Sequence, residues 1–158
     1  MSNICLCFIK RSYFIEHQHF RNMLDPCNFE KQSQRTHLCI LVNINENHIL
    51  IPLRNNLGPP LRKYGKIGFA VPSQKRPHAG LDYRYSLIIN NSDYLEYQTK
   101  LRLPNSQYQI ITQNYDVIKR EITTYLNRYI KVARKNRIHK EPLFRNSSLI
   151  NFHNELKV

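Results

Sequence analysis

The stretch His37-Leu-Cys-Ile-Leu-Val-Asn-Ile-Asn-Glu-Asn-His-Ile-Leu-Ile-Pro-Leu53 holds two apolar, β-branched runs, HLCILVNI (37–44) and ILIPL (49–53). Asn45, Glu46 and Asn47 separate them, so the stretch reads as an antiparallel hairpin. Pro52 has no N–H to give a ladder and marks an edge or a bulge near the end of the second strand. On the N-terminal side, residues 4–9 read as a first strand, 13–20 as a short turn or helix, and the polar, Pro26-containing 25–34 as a mobile loop. On the C-terminal side, 54–79 is irregular and rich in Gly and Pro, with a short strand expected in KIGFAVP (66–72), and 81–90 returns to strand character. After Pro104 the period changes. Ile111, Tyr115, Ile118, Ile122, Tyr125, Tyr129 and Val132 recur at helical spacing, which predicts one long amphipathic helix over 106–135, capped by Asn105 or Ser106. A last short helix over 148–156 would dock by Leu149, Phe152 and Leu156. Strands followed by helices give an α+β fold.

The chain has 158 residues, with 24 Lys and Arg against 11 Asp and Glu, a net charge of +13. That length suits one domain, 1–158, with one core. The excess of base excludes a polycationic substrate and points to a polyanion, either nucleic acid or an anionic membrane surface. The charge is not spread evenly. Residues 1–53 carry five bases and four acids, whereas 54–84 carry seven bases and one acid, and 119–145 nine bases and two acids. Two separated basic blocks favour a polyanion groove over a merely solvated face.

No apolar run approaches the ~20 residues of a membrane helix. The opening MSNICLCFIKRSYF has neither a basic residue ahead of its apolar stretch nor a small-residue cleavage site, so a cytoplasmic protein is expected. Cys5, Cys7, Cys27 and Cys39 fit that setting as free thiols. Cys5 and Cys7 lie two apart on one strand face, a poor geometry for bridging each other, and no second pair completes a zinc knuckle.

The chain contains no Walker loop, GxGxxG, HExxH or GxSxG. Its few carboxylates form no DxD or ExxE pair, so two-metal phosphodiester chemistry is unsupported, and no cofactor or metal is expected. Metal-free RNA cleavage suits the residues that remain. A ribose 2′-OH attacks its own phosphate, giving a 2′,3′-cyclic phosphate and a 5′-OH; the protein orients the attack, moves protons and stabilises the added charge.

The runs RTHLCILVNINENHILIPLRNN (35–56), HAGLDYRYSLIIN (78–90) and FRNSSLINFHNEL (144–156), in that order, resemble the type III toxin–antitoxin ribonucleases of the ToxN/AbiQ family, above all its TenpN group. The resemblance spans about residues 4–156 through short motifs, chiefly GLDY and the IPLR strand end. It implies a compact, strongly bent antiparallel sheet of MazF/Kid type, an SH3-like barrel, carrying a long C-terminal helix and short flanking helices. It implies metal-independent cleavage of cellular RNA and inhibition by a repeated pseudoknot RNA antitoxin that the toxin also processes. It further implies a closed toxin–RNA assembly and a role in phage abortive infection or plasmid maintenance.

The family pattern has a Tyr just after the first strand, where Tyr13 stands, and a Lys at a position held here by Arg35. Arg keeps the charge but not the proton chemistry, so the implied role of Arg35 is to clamp phosphate. After Pro-Leu the ToxN pattern has Thr-Ser, whereas this chain has Arg54-Asn55, a departure that leaves open which group handles protons. The TenpN pattern shares the Arg. Arg54 then binds phosphate and Asn55 donates to an oxyanion. His78, two residues before Gly80-Leu81-Asp82, is the candidate acid or base. Asp82 fixes the turn into the strand, orients His78, or pairs with Arg84. Asn56, Lys63, Lys66, Lys75 and Arg76 are assigned to the RNA path, extended along the helix by Arg128, Arg134 and Lys135. Without the resemblance, the same basic blocks and interleaved tyrosines fit a non-catalytic RNA-binding module.

Overall fold

The alternation in 37–53 folds as it reads. In the computed structural model, which describes residues 4–58, 66–97 and 103–158, β2 (His37–Val42) pairs antiparallel with β3 (Asn47–Arg54), from Val42 opposite Asn47 to His37 opposite Pro52. The turn lies one step earlier than expected. Asn45 and Glu46 take left-handed φ values of 56° and 55°, and Asn47 belongs to the strand. Buried Asn47 ties three segments together. Its Nδ2 donates to Ile44 O (3.0 Å) and Glu155 O (2.8 Å), and its Oδ1 accepts from Asn90 Nδ2 (2.9 Å).

β1 (Cys5–Ile9) lies beside β2, and β7 (Leu95–Tyr97) beside β1. On the far flank of β3 sit β5 (Gly80–Asp82) and β6 (Leu87–Ile88), with β4 (Gly68–Ala70) outside β5. Among the described residues the sheet therefore runs β4-β5-β3-β2-β1-β7, with β6 also on β3, and every pairing is antiparallel. The α+β expectation is met. The sheet is open, with β4 and β7 at its edges, where the SH3-like barrel of the family expectation would be closed.

The expected strand over 81–90 is interrupted. Five residues, Asp82 to Ser86, lie between Leu81 and Leu87 and face only Ile51 and Pro52 on β3. They wind into a 3₁₀ turn at Tyr83–Tyr85, opposite the one β3 residue with no N–H to offer. The carboxylate of Asp82 caps this turn, accepting from Arg84 N at 3.1 Å. Gly80 is required by crowding, because a Cβ there would stand 2.2 Å from Leu57 Cδ1 and 2.5 Å from Phe69 O.

Ile49, Leu50 and Ile51 are consecutive and all fully buried, so both faces of β3 are covered. The helical cover differs from expectation in two places. The single helix predicted over 106–135 is two, α3 (Asn105–Gln113) and α4 (Tyr115–Arg134). Asn114 divides them with φ −112° and ψ 15°, and its side chain donates to Ile110 O at 2.8 Å. The apolar period runs on through the break, with Ile111, Ile118, Ile122, Tyr125 and Tyr129 buried. The segment 25–34, expected as a mobile loop, carries α2 (Phe29–Gln34), whose cap Asn28 accepts from Lys31 N at 3.1 Å. The short helix near residue 13 forms as α1 (Arg11–Glu16). The C-terminal segment forms a 3₁₀ turn (Ser148–Phe152) and α5 (His153–Leu156), burying Leu149, Phe152 and Leu156 as expected.

Candidate functional site

Strand alternation sorts the end of β3 into two sides. Leu53 and Asn55 face one way and Arg54 the other. The Leu53–Asn55 side opens on a cavity of about 350 Å³. Lys31, Gln34, Arg35 and Thr36 line it from α2 and the start of β2, Ser73, Lys75 and Arg76 from the loop after β4, and Leu103, Pro104 and Gln107 from the head of α3. Four of these side chains are basic and none is acidic.

Hydrogen bonds and ion pairs fix each wall. Arg35 Nη1 donates to Leu53 O (3.2 Å) and Nη2 to Asp25 Oδ2 (2.6 Å), while Lys31 Nζ meets Asp25 Oδ1 at 3.3 Å. Burial works against ionisation of Asp25, but the hydrogen bonds and charges of Arg35 and Lys31 outweigh it and hold the carboxyl below its ordinary range. In the loop, Ser73 and Arg76 exchange backbone hydrogen bonds at 3.0 and 3.1 Å, and Ser73 Oγ accepts from Arg76 N at 3.2 Å. Buried Gln107 donates to Val71 O at 2.7 Å and anchors this loop to α3. The result is an acid-free slot with cations on two walls and Leu53, Leu103 and Pro104 as apolar surface. Such a slot suits a phosphodiester carrying a base.

On the other side of β3, Arg54 Nη1 meets the fully buried Asp82 at 3.0 Å. Arg84 binds the same carboxylate through Nε (3.0 Å) and Nη2 (2.8 Å), and both guanidiniums lie over the Tyr85 ring at 5.3 and 5.4 Å. Burial alone would lower the pKa of Arg84, but the Asp82 hydrogen bonds raise it. Asp82 thus pairs with Arg84 and Arg54 rather than orienting His78, and Arg54 does not line the cavity.

The structure brings together Arg35, Asn55, Lys75 and Arg76 of the sequence candidates. Tyr13 is elsewhere. It is buried among Phe14, His17, Phe20 and Tyr94, and desolvation pushes its phenol well above the usual value. His78 is exposed and outside the cavity lining, but extending the β3–β5 register sets it opposite Asn56, and its carbonyl accepts from Leu57 N at 2.9 Å. Asn56 turns its Oδ1 back to Gly58 N (2.8 Å). Lys66 pairs with Glu121 at 2.8 Å, and Glu121 also accepts from Tyr83 OH at 2.7 Å. Arg128, Arg134 and Lys135 are exposed along and just beyond α4, and Lys63 lies outside the described residues.

Sequence reasoning missed Lys31, Gln34, Thr36, Ser73 and Gln107. Lys31 and Arg35 stand four apart, a spacing that signals one helix side only once Asn28 is read as a cap. A second cavity of about 410 Å³, with Arg21, His139, Arg145 and His153 among its lining, also went unread. Burial, then the charge of Arg21, lower the pKa of His153, whose Nε2 shares a 2.8 Å hydrogen bond with Tyr129 OH.

Among the described residues, no three His, Cys, Asp or Glu side chains are grouped to hold a metal ion, and no helix is long and apolar enough to cross a membrane. No family model matches the chain, and no curated protein does. A solved structure shares its fold at a TM-score of 0.60 and 12% identity, covering 78% of each chain. It is a protein from a bacterial type III toxin–antitoxin system, described in terms of selective toxin inhibition by a non-coding RNA pseudoknot.

Proposed function

We propose that this chain is the toxin of a type III toxin–antitoxin system, a metal-independent endoribonuclease held inactive by a repeated pseudoknot RNA that it also processes. The observation that carries the proposal is the acid-free basic slot, set in a fold shared with the type III system protein. Arg35, already aimed by Asp25 and Leu53 O, clamps the scissile phosphate. Lys75 and Arg76 stabilise the charge that builds on the phosphorane, and Asn55 donates its amide to a non-bridging oxygen. His78, exposed beyond the end of the β3–β5 ladder, is assigned the proton transfer, for which it must reach the phosphate round the strand end from the Arg54 side. Arg54 acts by position, holding the β3 end against Asp82 so that Asn55 faces the slot. RNA running past Lys66 and along Arg128, Arg134 and Lys135 extends the contact, and alternating toxin and RNA close into a discrete assembly. The biological outcome is growth arrest that serves phage abortive infection or plasmid maintenance.

Purified protein is expected to cut RNA in EDTA and leave 2′,3′-cyclic phosphate and 5′-OH ends. Ends bearing a 5′-phosphate, or cutting that EDTA abolishes, would overturn the mechanism. His78→Ala should lose cleavage while keeping RNA affinity. A second reading, a non-catalytic RNA-binding module, is favoured by one observation: among the described residues the slot is lined by no imidazole and no carboxylate. Tight RNA binding by protein that never cuts would decide for it.

A further inference from the structure

The slot makes no use of the sheet's cysteines. β1 and β2 pair so that Cys5 stands directly opposite Cys39, with Leu6 opposite Leu38 and Cys7 opposite His37. Directly opposed residues of antiparallel strands share a face with Cα atoms about 4.5–5.5 Å apart. That separation falls inside the ~4.4–6.8 Å window of a disulfide. Both thiols are half-buried and hydrogen-bonded to each other, so a small oxidant reaches them. Cys7, on the same face, is fully buried, and Cys27 is exposed on the segment between α1 and α2.

The two thiols are also unequal. The Cys39 hydrogen bond, working against desolvation, lowers Cys5 to about 7. The same hydrogen bond, with burial, raises Cys39, and burial raises Cys7 to about 12. Tyr97, which pairs opposite Cys7, and Tyr115 at the head of α4 are the neighbouring titratable groups, and both are shifted upward. The pairing sets a thiolate of either residue directly beside its resolving partner.

We propose that Cys5 and Cys39 form an oxidation site that closes to a cross-strand disulfide when the protein meets a hydroperoxide. With hydrogen peroxide, the thiolate of one cysteine attacks one peroxide oxygen and the O–O bond breaks; that cysteine becomes a sulfenic acid, and the departing hydroxide takes a proton from solvent and leaves as water. The sulfur of its partner then attacks the sulfenic sulfur, forming the Cys5–Cys39 S–S bond; the sulfenic OH departs with the partner's thiol proton as a second water. The thiols lose two electrons in all and the peroxide gains two. The closed loop contains α1, α2, Lys31 and Arg35, so the bond ties one wall of the slot covalently to β1.

The test is non-reducing peptide mapping of the full chain after a brief hydrogen peroxide pulse. The expected product is a mass about 2 Da lower with one cross-linked pair of peptides holding Cys5 and Cys39, restored by dithiothreitol. Cys5→Ser and Cys39→Ser should each abolish it, while Cys27→Ser should leave it intact. A dominant Cys5–Cys7 or Cys7–Cys39 link would overturn the assignment, as would Cys27-linked dimers alone or over-oxidised Cys5 with no bridge. The wild-type map needs no variant to fold, and it reads the same whether or not the protein cuts RNA.

Discussion

Two aspartates in this molecule do the same thing with opposite consequences. Asp25 and Asp82 each hold two basic side chains on one carboxylate, Lys31 and Arg35 in the first case and Arg54 and Arg84 in the second. The Asp25 side chain keeps 23% of its surface exposed, whereas Asp82 keeps none. At Asp82 the carboxylate is enclosed and serves the sheet, capping the 3₁₀ turn and fixing the end of β3. Around Asp25 the cations face a cavity, so the carboxylate orients them without using them up. The surface each cation faces, not its residue type or its own burial, separates the two pairs: Arg35 lines the cavity at 16% exposure, whereas Arg54, at 29%, lies on the other side of β3.

The largest effect should come from breaking the buried member. Asp82→Ala leaves two guanidiniums without their anion and should cost about 3–5 kcal/mol, read from urea unfolding. An equal loss for Asp25→Ala would erase the distinction. Next comes the crossed pair of arginines. Arg35→Ala should weaken RNA binding about tenfold, ~1.4 kcal/mol, on top of the stability lost with its Asp25 and Leu53 bonds. Arg54→Ala should cost about 1–3 kcal/mol of stability and leave affinity within about twofold. Titration binding alongside unfolding would show whether the two profiles truly cross. Lys75→Ala is smaller again, lowering the slope of log affinity against log salt by about 0.7, one single-strand phosphate contact.

The smallest effect is in pH. The folded carboxyl of Asp25 lies below its ordinary 3.8, so its contribution is fully present above that value and fades only as pH falls through the folded one. Wild type and Asp25→Asn should therefore differ by a constant stability from neutral pH down to that value and converge below it. Convergence at higher pH would mean that Arg35 and Lys31 do not depress Asp25.

The sequence carries much of the fold because its strongest signals are local. The 37–53 hairpin and the docking of Leu149, Phe152 and Leu156 follow from period and turn chemistry alone. The 3₁₀ jog after Asp82 was half legible, because Pro52 announced a bulge without saying which partner strand would hold it. The break at Asn114 was hidden by an apolar period that continues across it, and α2 was hidden by its shortness. The slot was visible only as charge. Lys75 and Arg76 stood out in a basic block, but Lys31 and Gln107 arrive from elements far along the chain, and only tertiary packing brings them there. The family resemblance gives Tyr13 its role from its place after β1, yet on α1 that position falls on the buried face.

The five residues set against two at Pro52 divide one flank of β3 into two short ladders. The β4–β5 ladder carries the slot loop and Asn55's neighbour Arg54, and the β6 ladder belongs to the central core. The expectation is that each opens without the other, which would make the slot wall a cooperative unit smaller than the domain. In native-state hydrogen exchange, the amides of Gly80–Asp82 would exchange ahead of those of Ile49 and Leu50, so the slot loop would loosen while the hairpin stays shut.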